Sequence, residues 1–184
     1  MGVGIPVDVV LIPVGDVPWE PMERLKEELE RRFRSCSIGD PIPIPPGSYN
    51  PRRRQYLSTA ILRSLLQLNP PEGVKVLGVA DVDLYAPRLN FVFGEAQLGG
   101  RCAVISLVRL RQEFYGLPPD EELFRQRTVK EAMHELGHTL GLRHCLNSGC
   151  VMFFSNSLMD TDRKSADLCP RCLNILLRAM RGGP

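Results

Sequence analysis

The apolar and polar positions along the chain predict a mixed α/β (α+β) fold. A nearly continuous apolar run at residues 7–14 is typical of a strand covered on both faces. Apolar residues recur every third or fourth position over residues 19–33 and again over residues 55–68, which predicts two amphipathic helices packed on a sheet. Three further segments run apolar or alternate with polar positions and predict the remaining strands: residues 74–84, 89–97 and 102–110.

Turn and capping signals separate these elements. The proline-rich residues 37–51 predict a loop or an edge segment, because proline cannot donate to a central strand ladder. Asp120 follows two prolines and indicates the start of a short helical stretch. Thr128 and Glu131 have the spacing of a capping box, so a separate helix is expected to start there and run to about Leu140.

The chain has 184 residues and 43% hydrophobic residues, the size and apolar content of one globular domain. Its 23 basic and 21 acidic side chains nearly balance, which argues against a nucleic-acid partner, and the basic cluster at residues 52–54 indicates a solvated helix start. No apolar run approaches the roughly 18 residues of a membrane span, and the start lacks the basic region of a signal peptide. We therefore expect a cytoplasmic protein without a membrane partner, and we favour a monomer.

All three histidines of the chain lie within one short motif, His134-Glu135-x-x-His138 followed by His144. Residues four apart share a helix face, so the first two imidazoles can reach one metal ion. Gly141 can adopt a positive φ and end the helix, which lets His144 approach the same ion. Three neutral imidazoles leave the fourth position of a zinc ion to water, the arrangement of catalytic zinc. Glu135 beside that position is the candidate general base, and the alternative is a solvated surface carboxylate.

Four of the six cysteines form two close pairs just beyond the histidines, Cys145 with Cys150 and Cys169 with Cys172. In a reducing compartment such pairs are more often metal ligands than disulfides, and four thiolates fill the coordination of a structural zinc. Two alternatives remain open. One is a redox-active pair at Cys169 and Cys172, and the other is recruitment of His144 to the sulfur site.

The zinc of the sulfur site is expected to stabilise a C-terminal lobe that is too small to fold by burial alone. The last helix of this lobe is expected over residues 170–180. The apolar stripe through which it packs consists of Leu173, Leu176, Leu177 and Met180. The other two thiols, Cys36 and Cys102, lie in apolar segments and are expected to be buried and unreactive.

Together these residues resemble the zinc signature of the metzincin metallopeptidases. The cysteines, with the segment Cys150-Val151-Met152, resemble one branch in particular, the archaemetzincins. The resemblance is specific over residues 128–172 and implies a metzincin-like fold, with a mixed twisted sheet, a backing helix, an active-site helix and a small zinc-stabilised C-terminal lobe. It implies one catalytic domain over residues 1–184, with an N-terminal lobe at residues 1–141 and a C-terminal lobe at residues 142–184.

The resemblance also assigns roles to residues. It implies two zinc ions, a catalytic one on the three histidines and a structural one on the four paired cysteines, with Glu135 as general acid and base. Met152 matches the methionine whose turn lies beneath the catalytic site of metzincins. Met159 competes for that role, and an ordinary core methionine is the alternative for Met152.

These roles predict a zinc metallopeptidase, a hydrolase that cleaves peptide bonds with a zinc-bound water and Glu135 as the general base. Its partners are peptide or protein substrates, which metzincins bind in extended form along an edge strand. Residues 89–93 alternate well enough to be that edge or an interior strand, and Tyr115 is a further candidate for the cleft. Two rival functions are a metzincin shell that binds peptides with little or no turnover, and a zinc-stabilised interaction domain for protein or nucleic acid.

Overall fold

The computed structural model describes residues 4–182. Its strands are β1 (Ile5–Val14), β2 (Phe33–Ile38), β3 (Tyr49–Asn50), β4 (Gln55–Leu57), β5 (Val74–Ala80), β6 (Leu84–Tyr85), β7 (Gly94–Ala96) and β8 (Cys102–Ser106). Its helices are α1 (Trp19–Glu30), α2 (Ser58–Gln67), α3 (Glu121–Thr139), α4 (Leu158–Arg163) and α5 (Pro170–Met180), with short 3-10 turns at Val108–Leu110 and Gln112–Tyr115. None of these helices in the described chain is long and apolar enough to cross a membrane.

The main sheet has five strands in the order β2-β1-β5-β8-β7. The first four are parallel, and β7 runs antiparallel to β8 at one edge. A smaller sheet has the order β3-β4-β6. This mixed sheet with helices on both faces confirms the predicted fold class.

The run of apolar residues in β1 fills two cores at once. Val9 and Leu11 pack in the core that contains the buried residues of α1 and α3, whereas Ile12 and Val14 pack in the core under α2. Successive side chains of a strand point to opposite faces, and β1 has a parallel neighbour on each side. Both faces of β1 are therefore covered, as the sequence predicted.

Helix α1 is shorter than the predicted stripe. Met22, Leu25 and Leu29 are buried as expected, but Trp19 is 59% exposed and α1 ends before Phe33. Phe33 instead begins β2, a parallel edge strand that the sequence analysis missed. The helical spacing from Leu29 to Phe33 continues by coincidence into the strand, so the periodicity alone did not reveal the break.

The basic cluster at residues 52–54 was predicted to start a helix. It forms a turn before β4 instead. Arg53 Nη2 donates to the carbonyl oxygens of Leu89 at 2.7 Å and Asn90 at 3.0 Å. Gln55 Nε2 also donates to the Asn90 oxygen, at 3.0 Å. These side chains hold the loop that forms one wall of the cleft described below.

One continuous helix, α3, replaces the predicted short stretch and the separate helix from Thr128. Asp120 caps it, with its side chain accepting from the backbone N–H of Leu123 at 2.9 Å. Thr128 lies in the helix interior, where its hydroxyl donates to the Phe124 oxygen at 2.8 Å. The capping-box interpretation of Thr128 was therefore wrong, because the helix already begins at Glu121, with Asp120 as its N-cap.

The edge strand lies further along the chain than predicted. Residues 89–93 form neither an edge nor an interior strand, and they make only an isolated bridge between Val92 and Leu84. The edge strand of the main sheet on the side of the three histidines is β7 instead. The strands predicted over residues 74–84 and 102–110 also end early, at Ala80 and Ser106.

The chain beyond α3 packs against the same hydrophobic core as α1 and α3. In α5, Leu176 is 1% exposed, and Met180 packs partly buried against that core. Leu173 and Leu177 were predicted to pack as well but are 41% and 37% exposed. Only one side of α5 therefore contacts the protein, and the division into two lobes remains a prediction.

Candidate metal centres and cleft

The C-terminal half of α3 and the turn after it position the three histidines. His134 is 4% exposed and lies one helical turn before His138. Gly141 has a φ of 88° and its N–H donates to the His138 oxygen at 2.9 Å, while the N–H of Leu142 donates to the Gly137 oxygen. This left-handed helix end reverses the chain and brings His144 back against the other two imidazoles.

The imidazole nitrogens converge on one point. His138 Nε2 lies 3.1 Å from His134 Nε2 and 3.2 Å from His144 Nε2. The Nδ1 atom of His134 lies 2.7 Å from the Val151 oxygen, and that of His138 lies 2.8 Å from the Leu142 oxygen. Because a carbonyl oxygen only accepts, each of these Nδ1 atoms carries the hydrogen and each Nε2 keeps a lone pair.

A zinc ion fits this arrangement of donors. Zinc at 2.0–2.1 Å from tetrahedral nitrogen ligands separates those ligands by about 3.3 Å, close to both observed distances. Burial lowers the pKa of all three imidazoles, most strongly at His134, and the charge of Lys164 lowers it further. The histidines are therefore neutral near pH 7, which is the form that binds a metal.

Glu135 lies beside the histidines and is 6% exposed. Burial raises its pKa well above the ordinary range, the carboxylates of Glu131 and Glu95 raise it further, and the ammonium of Lys164 opposes them. A metal cation beside it would favour the ionised form. The alternative that Glu135 is a solvated surface carboxylate is wrong.

The four paired cysteines form a second cluster, in which all four Sγ atoms lie within 4.8 Å of one another. Cys145 Sγ and Cys169 Sγ are 3.9 Å apart, close to the roughly 3.8 Å between sulfur ligands of a tetrahedral zinc. The backbone N–H of Cys169 donates to Cys150 Sγ at 3.4 Å. His144 groups with the other imidazoles and not with the sulfurs, contrary to one of the alternatives above.

The pKa of the Cys169 thiol shifts in the opposite direction from those of four other thiols. The nearby backbone N–H of Cys172 lowers the pKa of Cys169 to about 7, whereas burial raises the pKa of Cys150 and Cys172. Burial also raises the pKa of Cys36 to about 12 and that of Cys102 to about 11. Both are buried thiols at neutral pH, as predicted.

Met152 packs directly beneath α3. It is fully buried, and a Cβ added to Gly137 would lie only 2.4 Å from its Sδ. Its carbonyl oxygen accepts from the backbone N–H of Cys145 at 2.9 Å. The competing Met159 is 65% exposed and does not share this position.

Two open cavities share His134 and Glu135 in their walls. One, of about 250 Å³, lies between residues 89–94, α3 and residues 154–156. The other, of about 480 Å³, borders β7 and all three histidines. Tyr115 lines neither cavity, and its hydroxyl donates to the Arg109 oxygen at 3.1 Å. The wall formed by residues 89–94 is therefore part of the cleft, although it is not the predicted strand.

Sequence reasoning missed a buried ionic cluster behind the first cavity. Lys164 is fully buried, with its Nζ 2.9 Å from Glu131 Oε1, and the Thr161 hydroxyl donates to the same oxygen at 3.1 Å. Arg127 forms two hydrogen bonds with Asp162, at 2.7 and 2.8 Å. These contacts tie α4 to α3. The spacing of Lys164, Glu131 and Asp162 in the sequence does not indicate this cluster, which forms only where α4 meets α3.

Sequence comparisons with known proteins agree with the resemblance inferred from the zinc motif and the cysteines. A family model described as Peptidase family M54 matches residues 47–178. The archaemetzincin of Methanocaldococcus jannaschii is 51% identical over 168 residues, which cover 91% of this chain and 92% of that protein. The archaemetzincin of Pyrococcus furiosus is 44% identical over 175 residues, and the match covers 91% of each protein.

Comparisons with solved structures agree with the same resemblance. The 1.5 Å structure of archaemetzincin from Methanopyrus kandleri is 39% identical, with a TM-score of 0.83 and 98% coverage of both chains. The 1.4 Å structure of archaemetzincin from Archaeoglobus fulgidus complexed with malonate is 42% identical, with a TM-score of 0.79. That match covers 91% of this chain and 98% of the other.

Lys164→Met should lower the free energy of unfolding by about 3–5 kcal/mol, because it leaves the Glu131 carboxylate buried without its partner. Lys26→Met is the matched control, since Lys26 pairs with Glu30 on the surface, where a single ion pair contributes little to stability. Urea denaturation of both variants measures the difference. Equal losses in the two variants would show that the buried pair does not hold α4.

Stability without metal at the histidines should fall as the pH drops from about 7 to about 5. The histidine pKa values are lower in the folded state than in the unfolded chain. Below about pH 6.5 the unfolded chain therefore binds more protons than the folded protein, which favours unfolding. His134→Gln should make this slope shallower, by up to about 1.4 kcal/mol per pH unit. Urea denaturation at several pH values checks this, and parallel slopes for both proteins would contradict it.

Proposed function

Because the chain belongs to peptidase family M54, the archaemetzincin family of zinc metallopeptidases, we propose that it cleaves peptide bonds with zinc on its three histidines and Glu135 as the general base. Membership makes the protein a zinc-dependent hydrolase that acts on peptides or proteins. The residue roles and the two-zinc count are proposals supported by the geometry of the clusters.

One observation carries this proposal. Two Nδ1 atoms are fixed by backbone carbonyls, so the Nε2 lone pairs of His134 and His138 face each other across 3.1 Å. Such an arrangement is repulsive unless a cation lies between the nitrogens. The larger cavity borders all three histidines, and both cavities border His134 and Glu135. A metal held in an open cleft next to a buried carboxylate is the arrangement of a hydrolytic site.

Zinc held by the three histidines would supply Lewis acidity, polarising a substrate carbonyl and lowering the pKa of a coordinated water. Glu135 accepts the proton of the attacking water on a carboxylate oxygen and then delivers it to the departing amine. Its burial raises its proton affinity, which suits a group that must first take up a proton and later release it. His134 and His138 stay oriented through their Nδ1 hydrogen bonds during these transfers.

The substrate is proposed to bind in extended form along β7. This strand pairs with β8 on one side and is the last strand of the main sheet, and its three residues border the larger cavity. An extended peptide can add to such an edge through backbone hydrogen bonds, with its side chains directed alternately into the cavities. Met152 supports the site from beneath, as proposed for the turn methionine.

A second zinc ion is proposed on Cys145, Cys150, Cys169 and Cys172, giving two per chain. Four sulfur ligands leave no open position, so this ion is structural. The second candidate function, a shell that binds peptides without turnover, uses the same cleft and differs only in that Glu135 becomes dispensable. The interaction domain built on the cysteines leaves the histidine cleft without a purpose.

Glu135→Gln should lower kcat by about 10²- to 10⁴-fold, because the amide cannot accept the proton of the attacking water. Zinc content should stay unchanged, since Glu135 is not among the proposed ligands. Cleavage of a mixed peptide library, followed by mass spectrometry, gives the rate, and Glu72→Gln on the surface is the control. Equal cleavage by the Glu135 variant and the wild type would remove the general-base role, and binding without any cleavage by the wild type would favour the shell.

His138→Ala and Cys172→Ser should each lose one of the two zinc ions, but with different effects on stability. Loss of the sulfur-bound ion should lower the Tm by at least about 10 °C, because the binding energy of a structural zinc is folding energy. Loss of the histidine-bound ion should change the Tm by much less. Metal analysis and thermal unfolding of both variants test this, and one zinc ion in the wild type would contradict the count.

A further inference from the structure

Gly94, the first residue of β7, lies at the meeting point of the two cavities, where its backbone borders both of them. Its φ is outside the left-handed region that seven other described glycines occupy, so its backbone conformation does not require glycine. Any requirement for glycine at this position must therefore come from the space around the missing side chain.

That space is already occupied. A Cβ added to Gly94 would lie 2.7 Å from Glu135 Cγ, 2.8 Å from Glu135 Oε1 and 2.6 Å from the Val104 oxygen. Carbon atoms in ordinary contact are 3.5–4.0 Å apart, so an alanine at residue 94 cannot be accommodated without movement. The edge strand thus approaches Glu135 more closely than any residue with a side chain allows.

The strand has little freedom to move away from this contact. On its opposite face, the Glu95 carboxylate accepts hydrogen bonds from the Ser58 and Thr59 hydroxyls at the start of α2. A carboxylate at a helix N-terminus is also favoured by the helix dipole. Along its length, β7 is paired with β8, with Gly94 opposite Ile105. A side chain at residue 94 would therefore have to displace Glu135 or the Val104 backbone.

We propose that Gly94 is a positioning residue: the absence of its side chain lets β7 hold the Glu135 carboxylate at the point where the two cavities meet. This inference rests on the proposed function, because it adds a second residue to the general-base role of Glu135. The same approach places the edge-strand backbone directly against the general base. An extended substrate paired with β7 then passes within reach of that carboxylate.

The test combines Gly94→Ala with two backgrounds, the wild type and Glu135→Ala. If the contact with Glu135 imposes the requirement, Gly94→Ala should lower the Tm at least about twice as much in the wild type as in the Glu135→Ala background. Gly4→Ala is the matched control, because its Cβ would meet no atom closer than 3.4 Å. It should leave the Tm and the turnover unchanged.

Kinetics and crystallography complete the test. In the wild-type background, Gly94→Ala should lower kcat by about 10- to 100-fold through displacement of the carboxylate, while KM changes by less than about threefold. A crystal structure of the variant should show the Glu135 carboxylate moved from its wild-type position. Equal Tm losses in both backgrounds would assign the requirement to Val104 and overturn the proposal, as would an unchanged kcat.

If Gly94→Ala fails to fold in the wild-type background, the variant that combines Gly94→Ala with Glu135→Ala tests the proposal. Its folding would support the proposal, because the contact with the Val104 oxygen remains and removal of Glu135 alone then restores folding, and its failure would overturn the proposal. If the wild-type protein cleaves no peptide, the proposed function fails by itself. The Tm comparison between the two backgrounds still decides whether Gly94 accommodates Glu135.

Discussion

The Nε2 atoms of His134 and His138 in α3 and of His144 just beyond it converge on one point, and the facing lone pairs of His134 and His138 are unfavourable without a cation. The surrounding chain holds the imidazoles in this unfavourable arrangement. The carbonyls of Val151 and Leu142 fix the tautomers of His134 and His138, and both carbonyls belong to the chain that returns after α3. The left-handed turn at Gly141 starts that return. The helix, its end and the returning chain therefore form one unit around the proposed metal.

The sulfur cluster fixes the ends of this returning segment. Cys145 directly follows His144, and Cys150 directly precedes Val151, so both neighbours of the sulfur site take part in the histidine site. The Cys145 N–H also bonds to the oxygen of Met152, which packs beneath α3. The proposed zinc on the cysteines would thus order the backbone next to Leu142 and Val151, which orient two imidazoles, although it would lie outside the cleft. The two proposed metal centres are connected through this backbone.

Local spacing made the two side-chain clusters predictable from sequence, since His134 and His138 are separated by one helical turn and the cysteines of each pair by only a few residues. The rest of the cleft depends on contacts between distant segments. The side chain of Arg53 donates a hydrogen bond to the Asn90 oxygen in the cleft wall, 37 residues further along the chain. The sequence pattern of residues 89–93 does not indicate this contact. Pairing with β8 sets the position of β7, and the burial of Lys164 depends on α4 meeting α3. These features follow from the assembled fold and not from patterns within any one segment.

The most direct test of this account is anomalous diffraction at the zinc absorption edge, from crystals grown with excess zinc. The account predicts two peaks per chain. One should lie about 2.0–2.1 Å from the Nε2 atoms of His134, His138 and His144, and the other about 2.3 Å from the four sulfur atoms. A single peak at the cysteines, with the three imidazoles still converging on an empty point, would contradict the claim that a metal ion holds them there.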